Sequence, residues 1–235
     1  MSAKESQLLP KGHPYSAISV LVMAAGSSSR MKAWAIGDDN STMANAHPNT
    51  HKLLLPLFGK PVLAHTLERL CTVSFGEIVV VTGFERERIE EVCARFSKVQ
   101  TVWNPNAAEG MASSLRTGVA VLHACQKGIL ILLADMPLVR TETLERLCQH
   151  FHQASTQQSD TQPIVVPVYR GQRGNPVLFS ALYKPELLTL QGDTGARRLL
   201  RTHADHVVEC HTDDEGVLLD LDTPEQWQAL VNRGA

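Results

Sequence analysis

The residues that could do chemistry in this chain are three aspartates, an arginine beside a run of small residues, and ten scattered histidines. Asp135 ends the apolar run from Gly128 to Ala134 and is followed at once by Met136 and Pro137. A carboxylate at the end of a buried strand costs free energy unless a cation or a hydrogen-bond partner meets it. In open α/β sheets the ligand crevice lies at the carboxyl ends of the strands. Asp135 therefore reads as a metal-holding residue in a nucleotide site. The competing reading is a turn aspartate bonded to a nearby backbone N–H. Asp220 and Asp222 precede a helix start, where acidity also suits the helix dipole, although Thr223 already supplies that helix with a cap.

The second candidate is the loop Ala24-Ala25-Gly26-Ser27-Ser28-Ser29-Arg30. Small residues let backbone N–H groups wrap an anion, and Arg30 adds a bidentate cationic donor. The loop lacks the G-K-[ST] ending of a P-loop and is not G-x-G-x-x-G. Turns use the same residues, so its composition alone decides little. His150 with His152, and His203 with His206, lack the i, i+4 spacing of helical metal ligands. His47 and His51 have that spacing, but in an irregular segment. All six read as surface or packing histidines.

Elements that could position these groups alternate along the chain. Strands are expected at Ile18 to Ala24, Glu77 to Thr82, Val99 to Trp103 and Gly128 to Ala134, each a short apolar run bounded by turn signals. Between them, helices are expected at Pro61 to Val73, Arg86 to Phe96 and Met111 to Cys125, with another from Thr141 as N-cap. Ala154 to Pro163 is polar and reads as a loop. After it come strands at Ile164 to Tyr169 and Pro176 to Phe179, helices at Ser180 to Leu190 and Gly195 to Thr202, and strands at Val207 to Cys210 and Val217 to Leu221. The last helix starts with Thr223 as N-cap, Pro224 at the first helical position and Gln226 completing a capping box. The alternation predicts an α/β protein, a three-layer α/β/α sandwich around a mostly parallel, Rossmann-like sheet. Residues 1–16 read as a flexible leader, and 17–235 as a single domain.

The bulk properties exclude some partners. Of 235 residues 43% are apolar and 20% charged, with a formal net charge of −2, so there is no basic field for nucleic acid or an anionic membrane. No run approaches the ~18 apolar residues of a membrane span. The five cysteines are scattered without a C-x-x-C pair, which suggests reduced thiols and a cytoplasmic setting.

The loop at Ala24 to Met31 resembles the L-A-A-G-x-S-x-R-M signature of the MobA-like nucleotidyltransferases, closest to their molybdenum cofactor cytidylyltransferase branch. The resemblance runs from about Ile18 to Leu230. It takes in Lys52 within KLLLPLFGKPVL, Asn104-Pro105, Gly110 to Ser114, Asp135-Met-Pro137, Gly174-Asn-Pro176, Gly192 to Arg197, and Asp220 to Pro224, in that order.

The resemblance implies that Ala24, Ala25, Gly26, Ser27, Ser28 and Arg30 wrap the nucleotide phosphates. Arg30 and Lys52 would neutralise charge on the α-phosphate and the departing pyrophosphate. Thr82 would line the nucleotide, and Gly110, Ser113 and Ser114 would read the base. Asp135 and Asp222 would hold Mg²⁺, with Asp220 the less favoured partner. Gly174, Asn175 and Pro176, and Asp193, Gly195 and Arg197, would face the acceptor. Guanylyl members carry Leu-Ala-Gly-Gly where cytidylyl members carry Leu-Ala-Ala-Gly, so Ala25 points to CTP before GTP. The implied reaction transfers CMP from CTP to molybdopterin. A molybdoenzyme or its chaperone is the protein partner implied.

One departure stands out. Lys32 replaces the usual glycine after Arg-Met, and residues 32–51 intervene before Lys52 with the composition of a loop insertion. This puts the placement of Lys52 in question. It also motivates a reading as a cofactor delivery protein without transfer activity, beside two that keep the chemistry and change the substrates: GTP as donor to molybdopterin, and CTP with a sugar- or polyol-phosphate.

Overall fold

A computed structural model describes residues 15–28, 51–123, 127–157, 162–193 and 195–233. Strand β1 (Tyr15–Ala24) is an interior strand of the main sheet. A two-residue hairpin, β2 (Pro56–Leu57) with β3 (Lys60–Pro61), leads into helix α1 (Val62–Thr72). There follow β4 (Phe75–Thr82), α2 (Arg86–Cys93), β5 (Val99–Trp103), α3 (Met111–Val121), β6 (Gly128–Leu133) and α4 (Thr141–Gln157). The second half supplies β7 (Ile164–Tyr169), β8 (Gln172–Arg173), β9 (Val177–Ser180), α5 (Lys184–Leu188), α6 (Arg197–Thr202), β10 (Val207–His211) and α7 (Pro224–Arg233).

The sheet order is β10-β7-β9-β6-β1-β4-β5, with β8 paired to β7. Pairings from β6 through β1 and β4 to β5 are parallel, as is β10 with β7. Only β9 and β8 introduce antiparallel neighbours. The chain runs from β1 out to β5 and then returns to lay β6 on the other side of β1. That reversal is a topological switch point, where the carboxyl ends of two adjacent strands open a crevice.

Both faces of the sheet are covered, which is why its strands are continuous apolar runs. Val20, Val22, Val80, Leu130 and Leu132 face α1, α2, α4 and α7. Leu21, Val79, Val81, Ile129 and Ile131 face α3, α5 and α6. Gly118 lets α3 lie against the sheet, because a Cβ there would come within 2.2 Å of Leu21 Cδ1.

Several expected boundaries shift for physical reasons. Tyr15 and Ser16 are strand rather than leader, with the Tyr15 ring packed 6.4 Å from that of Phe75; residues 1–14 lie outside the described residues. The expected loop after Ala154 is helical as far as Gln157. There Ser155 and Thr156 donate their hydroxyls to the carbonyls of Phe151 and His152, so polar sequence stays in the helix.

Val217 to Leu221 is not a strand. Asp214 accepts from the Gly216 N–H at 2.9 Å and folds Glu215–Leu218 into a 3-10 turn, and the Val217 carbonyl accepts from Asn175 rather than from a ladder. The expected helix from Ser180 is a 3-10 turn, Ala181–Tyr183, followed by the short α5. The start of α7 is as read: Gln226 Oε1 accepts from the Asp222 and Thr223 N–H groups, each at 2.8 Å.

Candidate functional site

The switch point brings three separate segments together. β1 delivers Ala24 into the small-residue loop, and β6, paired beside it, delivers Asp135. The third segment, residues 219–222, is tied to the second by the Leu221 N–H, which donates to the Asp135 carbonyl at 3.0 Å. Lys52, in a 3-10 turn over Lys52–Leu54, extends its ammonium between the two carboxylates. Its Nζ donates to Asp135 Oδ2, and to Asp222 Oδ1 at 2.5 Å. The question raised by the insertion is thus answered in part: Lys52 sits at the carboxylates.

Burial works against charge on Lys52, but Asp135 and Asp222 outweigh it and hold its pKa above the ordinary lysine value. Burial also pushes the Asp135 carboxyl up, opposed by Lys52 and reinforced by Asp222 and Asp220. The ammonium pairs with Asp222 and not with Asp220, which separates the two acids of the D-x-D pair. Two carboxylates converging on one cationic atom also form a donor set suited to a hard divalent ion, which takes one or two carboxylates and fills its shell with phosphate oxygens and water.

The loop itself is close-packed. Ala24 and Ala25 are buried, and a Cβ on Gly83 would come within 2.6 Å of the Ala25 carbonyl and 2.8 Å of its methyl. Gly83 thus lets the loop settle on the end of β4. Ser28 takes a left-handed backbone and accepts from the Lys52 N–H at 3.2 Å. Arg30 and Ser29 lie outside the described residues.

Other expected site residues are already engaged within the protein. Thr82 is fully buried and donates its hydroxyl to Glu90 and the Val102 carbonyl. The Ser113 and Ser114 hydroxyls accept from Asn104 Nδ2 at 2.8 and 2.9 Å, and Ser113 donates to the Asn106 carbonyl. The amides at the start of α3 are not open either. Met111 N–H donates to Asp193 Oδ1 and Ala112 N–H to the Gly192 carbonyl, both at 3.1 Å. The segment carrying Asp193 therefore folds onto the Gly110–Ser114 helix start.

Gly195 packs on Met111, and Arg197 is exposed at the start of α6. Gly174 and Asn175 donate to the Pro167 and Val217 carbonyls, each at 2.9 Å, and the Asn175–Pro176 bond is cis. The segment from Gly174 is thereby fastened to the stretch that leads into Asp220 and Asp222.

Two polar residues gain a role that their sequence context did not suggest. Asn104 is the buried hub of the turn before α3, with Oδ1 accepting from the Asn106 N–H as well. His51 is fully buried and bonded to the small-residue loop. Its position next to Lys52 is the only signal of this in the sequence. Among the described residues no group of three or more histidines, cysteines or acids could hold a metal ion. No helix there is long and apolar enough to cross a membrane.

Residues 20–207 match the MobA-like NTP transferase domain family. The chain belongs to that family. It is a nucleotidyltransferase. It is 30% identical over 190 residues to the purine catabolism protein PucB of Bacillus subtilis (strain 168), covering 77% of this chain and 87% of that one. To the molybdenum cofactor cytidylyltransferase of Escherichia coli (strain K12) it is 22% identical over 218 residues, covering 93% and 97%.

The chain spans about a quarter of the length of the bifunctional GlmU proteins it matches. That of Rhizorhabdus wittichii is 32% identical over 127 residues, 24% of its length. Rv0371c from Mycobacterium tuberculosis H37Rv, crystallised in complex with manganese, superposes on this nucleotidyltransferase with a TM-score of 0.68 and 26% identity. The match covers 92% of this chain and 98% of that one. Divalent metal dependence is typical of the family.

Proposed function

We propose that this nucleotidyltransferase transfers CMP from CTP to molybdopterin, with Mg²⁺ held by Asp135 and Asp222 and pyrophosphate released. The observation that carries the reading is the Lys52 ammonium seated between Asp135 and Asp222, beside a loop of small residues at the switch point. Nucleotidyl transfer depends on positioning and on neutralising phosphate charge, which is what such a site offers.

In this reading the backbone N–H groups of the Ala24–Ser28 loop receive the triphosphate. A terminal phosphate oxygen of the acceptor attacks the α-phosphorus, a new O–P bond forms, and the bond from the α-phosphorus to the bridging oxygen breaks. The electron pair leaves on pyrophosphate. Lys52 turns from the carboxylates toward the phosphates and, with Arg30, offsets their charge. Mg²⁺, which Asp135 and Asp222 would hold, would supply positive charge that offsets the phosphates. The Gly174–Pro176 turn and the Asp193–Arg197 segment would border the acceptor.

The base assignment rests on Ala25, which is buried and stands where guanylyl members carry a smaller glycine. Among the described residues Cys71, Cys93, Cys148 and Cys210 are free and buried or half-buried, with burial pushing the Cys93 and Cys148 thiols up to about 12, which suits a reducing cytoplasm. A second reading keeps the chemistry and changes the acceptor to another phosphorylated small molecule. Its motive is the 30% identity to the purine catabolism protein, above the 22% to the molybdenum cofactor enzyme.

The test measures pyrophosphate release with Mg²⁺, each of the four nucleoside triphosphates, and molybdenum cofactor. Release with CTP and cofactor is expected. Release only with another acceptor selects the second reading, and folded protein inert toward every triphosphate removes both. If Asp135→Ala keeps cofactor affinity in a protein that never turns over, a delivery role replaces transfer.

A further inference from the structure

The small-residue loop and Lys52 must act on the same triphosphate, yet Gly26 and His51 are 25 residues apart in sequence. So long a connection cannot set the distance between them through chain continuity alone. The His51 side chain sets it instead. Its Nε2 lies 2.6 Å from the Gly26 carbonyl oxygen, and its Nδ1 lies 3.3 Å from the Leu53 nitrogen. A carbonyl only accepts and an amide N–H only donates. Nε2 therefore carries the proton, and Nδ1 presents its lone pair. One neutral ring, fully buried, fastens the turn that carries Lys52 to the middle of the loop. One residue on, the Lys52 N–H donates to Ser28 and its side chain reaches Asp135 and Asp222.

We infer that His51 is a positioning residue for phosphate binding: its Nε2–H holds Gly26 so that the loop amides and the Lys52 ammonium converge on one polyphosphate. This rests on the triphosphate reading of the site. The same ring also caps the 3-10 turn through Nδ1, so a purely structural role is the alternative. The two roles use different ring nitrogens and can be separated. His51→Gln carries a donor at about the reach of Nε2 and loses the Nδ1 acceptor. His51→Asn keeps a short acceptor for the Leu53 N–H and cannot reach Gly26.

The probe is Mg²⁺-pyrophosphate, titrated by calorimetry into the full chain, with circular dichroism to establish folding. It needs neither base nor acceptor. Loss of one buried hydrogen bond to the loop predicts about tenfold weaker pyrophosphate binding for His51→Asn. A matching rise in KM for the nucleotide is expected, with His51→Gln close to wild type in both. The reverse order, with Asn near wild type and Gln impaired, overturns the inference in favour of the cap. Equal affinities for all three proteins overturn it as well. If His51→Asn does not fold, His51→Ala, which removes both ring nitrogens, takes its place: His51→Gln near wild type with His51→Ala about tenfold weaker supports the inference, and His51→Gln as weak as His51→Ala, or both equal to wild type, contradicts it. Wild-type protein that binds neither Mg²⁺-pyrophosphate nor any nucleotide contradicts the triphosphate site itself, and with it the positioning role of His51.

Discussion

Asp135 is a half-buried and Asp214 a buried aspartate, both in loops at the ends of strands, and their surroundings differ in kind. Asp214 is met by fixed donors that balance it locally: the Arg140 N–H at 2.8 Å, the Thr143 hydroxyl at 2.7 Å and the Gly216 N–H at 2.9 Å. It joins the start of α4 to the turn before Asp220, and its oxygens are occupied by the fold. Asp135 meets the end of a flexible lysine, with a second carboxylate drawn to the same atom. A buried acid held by backbone and hydroxyl donors, with the Arg140 guanidinium 3.5 Å away at its edge, belongs to the architecture. A half-buried acid that shares one lysine ammonium with another acid has its charge arranged for something that arrives later.

The largest expected effect is on turnover. Asp135→Asn should lower activity on the order of a thousandfold or more while the protein stays folded, because its loss is felt where charge is neutralised during transfer. Asp214→Ala should do the opposite. It strands several buried donors and should cost about 2–4 kcal/mol in chemical unfolding while leaving turnover of the folded fraction near wild type.

Lys52→Ala comes next. It leaves Asp135 and Asp222 facing each other and should destabilise the metal-free protein by about 1–3 kcal/mol, below the range for a fully buried pair because the site is partly exposed. Mg²⁺ alone should then raise the thermal midpoint more in the variant than in wild type, since no ammonium competes for the carboxylates.

A pH effect follows from burial of Asp135. A carboxyl whose folded pKa is raised favours the folded state most below its ordinary unfolded value, and loses that contribution as pH rises through the raised one. In metal-free protein this slope should vanish in Asp135→Asn. Stabilisation by Mg²⁺ runs the other way, shrinking as pH falls through the same window, because the ion needs the carboxylate. Thermal melts across mildly acidic pH check both. The smallest effect concerns the base. Ala25→Gly should shift the CTP to GTP ratio of kcat/KM by about tenfold, the lower end of the scale for one methyl group in a pocket.

Much of this arrangement was legible in the residues, for reasons the fold makes clear. Apolar runs such as Ile129 to Leu132 read as buried strands because both faces of the sheet are covered, and the capping box at Thr223 is local in sequence. Periodicity does not report strand direction, so the antiparallel β9 was not legible. Nor was the turn at Glu215–Leu218, whose cause is the single side chain of Asp214. Asp135, Lys52 and Asp222 stood out through ordered motifs, and the fold brings them to one point. The hydroxyls of Ser113 and Ser114 read as open ligands because nothing in their own segment shows that Asn104 engages them. His51 looked like packing because its partner, Gly26, lies in a distant segment. Partners set by tertiary approach leave no local pattern.

The most direct test of the contrast is pyrophosphate release by Asp135→Asn and Asp214→Asn, assayed side by side with CTP, Mg²⁺ and molybdenum cofactor, each variant first shown to be folded. The expected result is release near the wild-type rate from folded Asp214→Asn and none above background from Asp135→Asn. Turnover by Asp135→Asn at the wild-type rate would contradict a catalytic role for the Asp135, Lys52 and Asp222 centre.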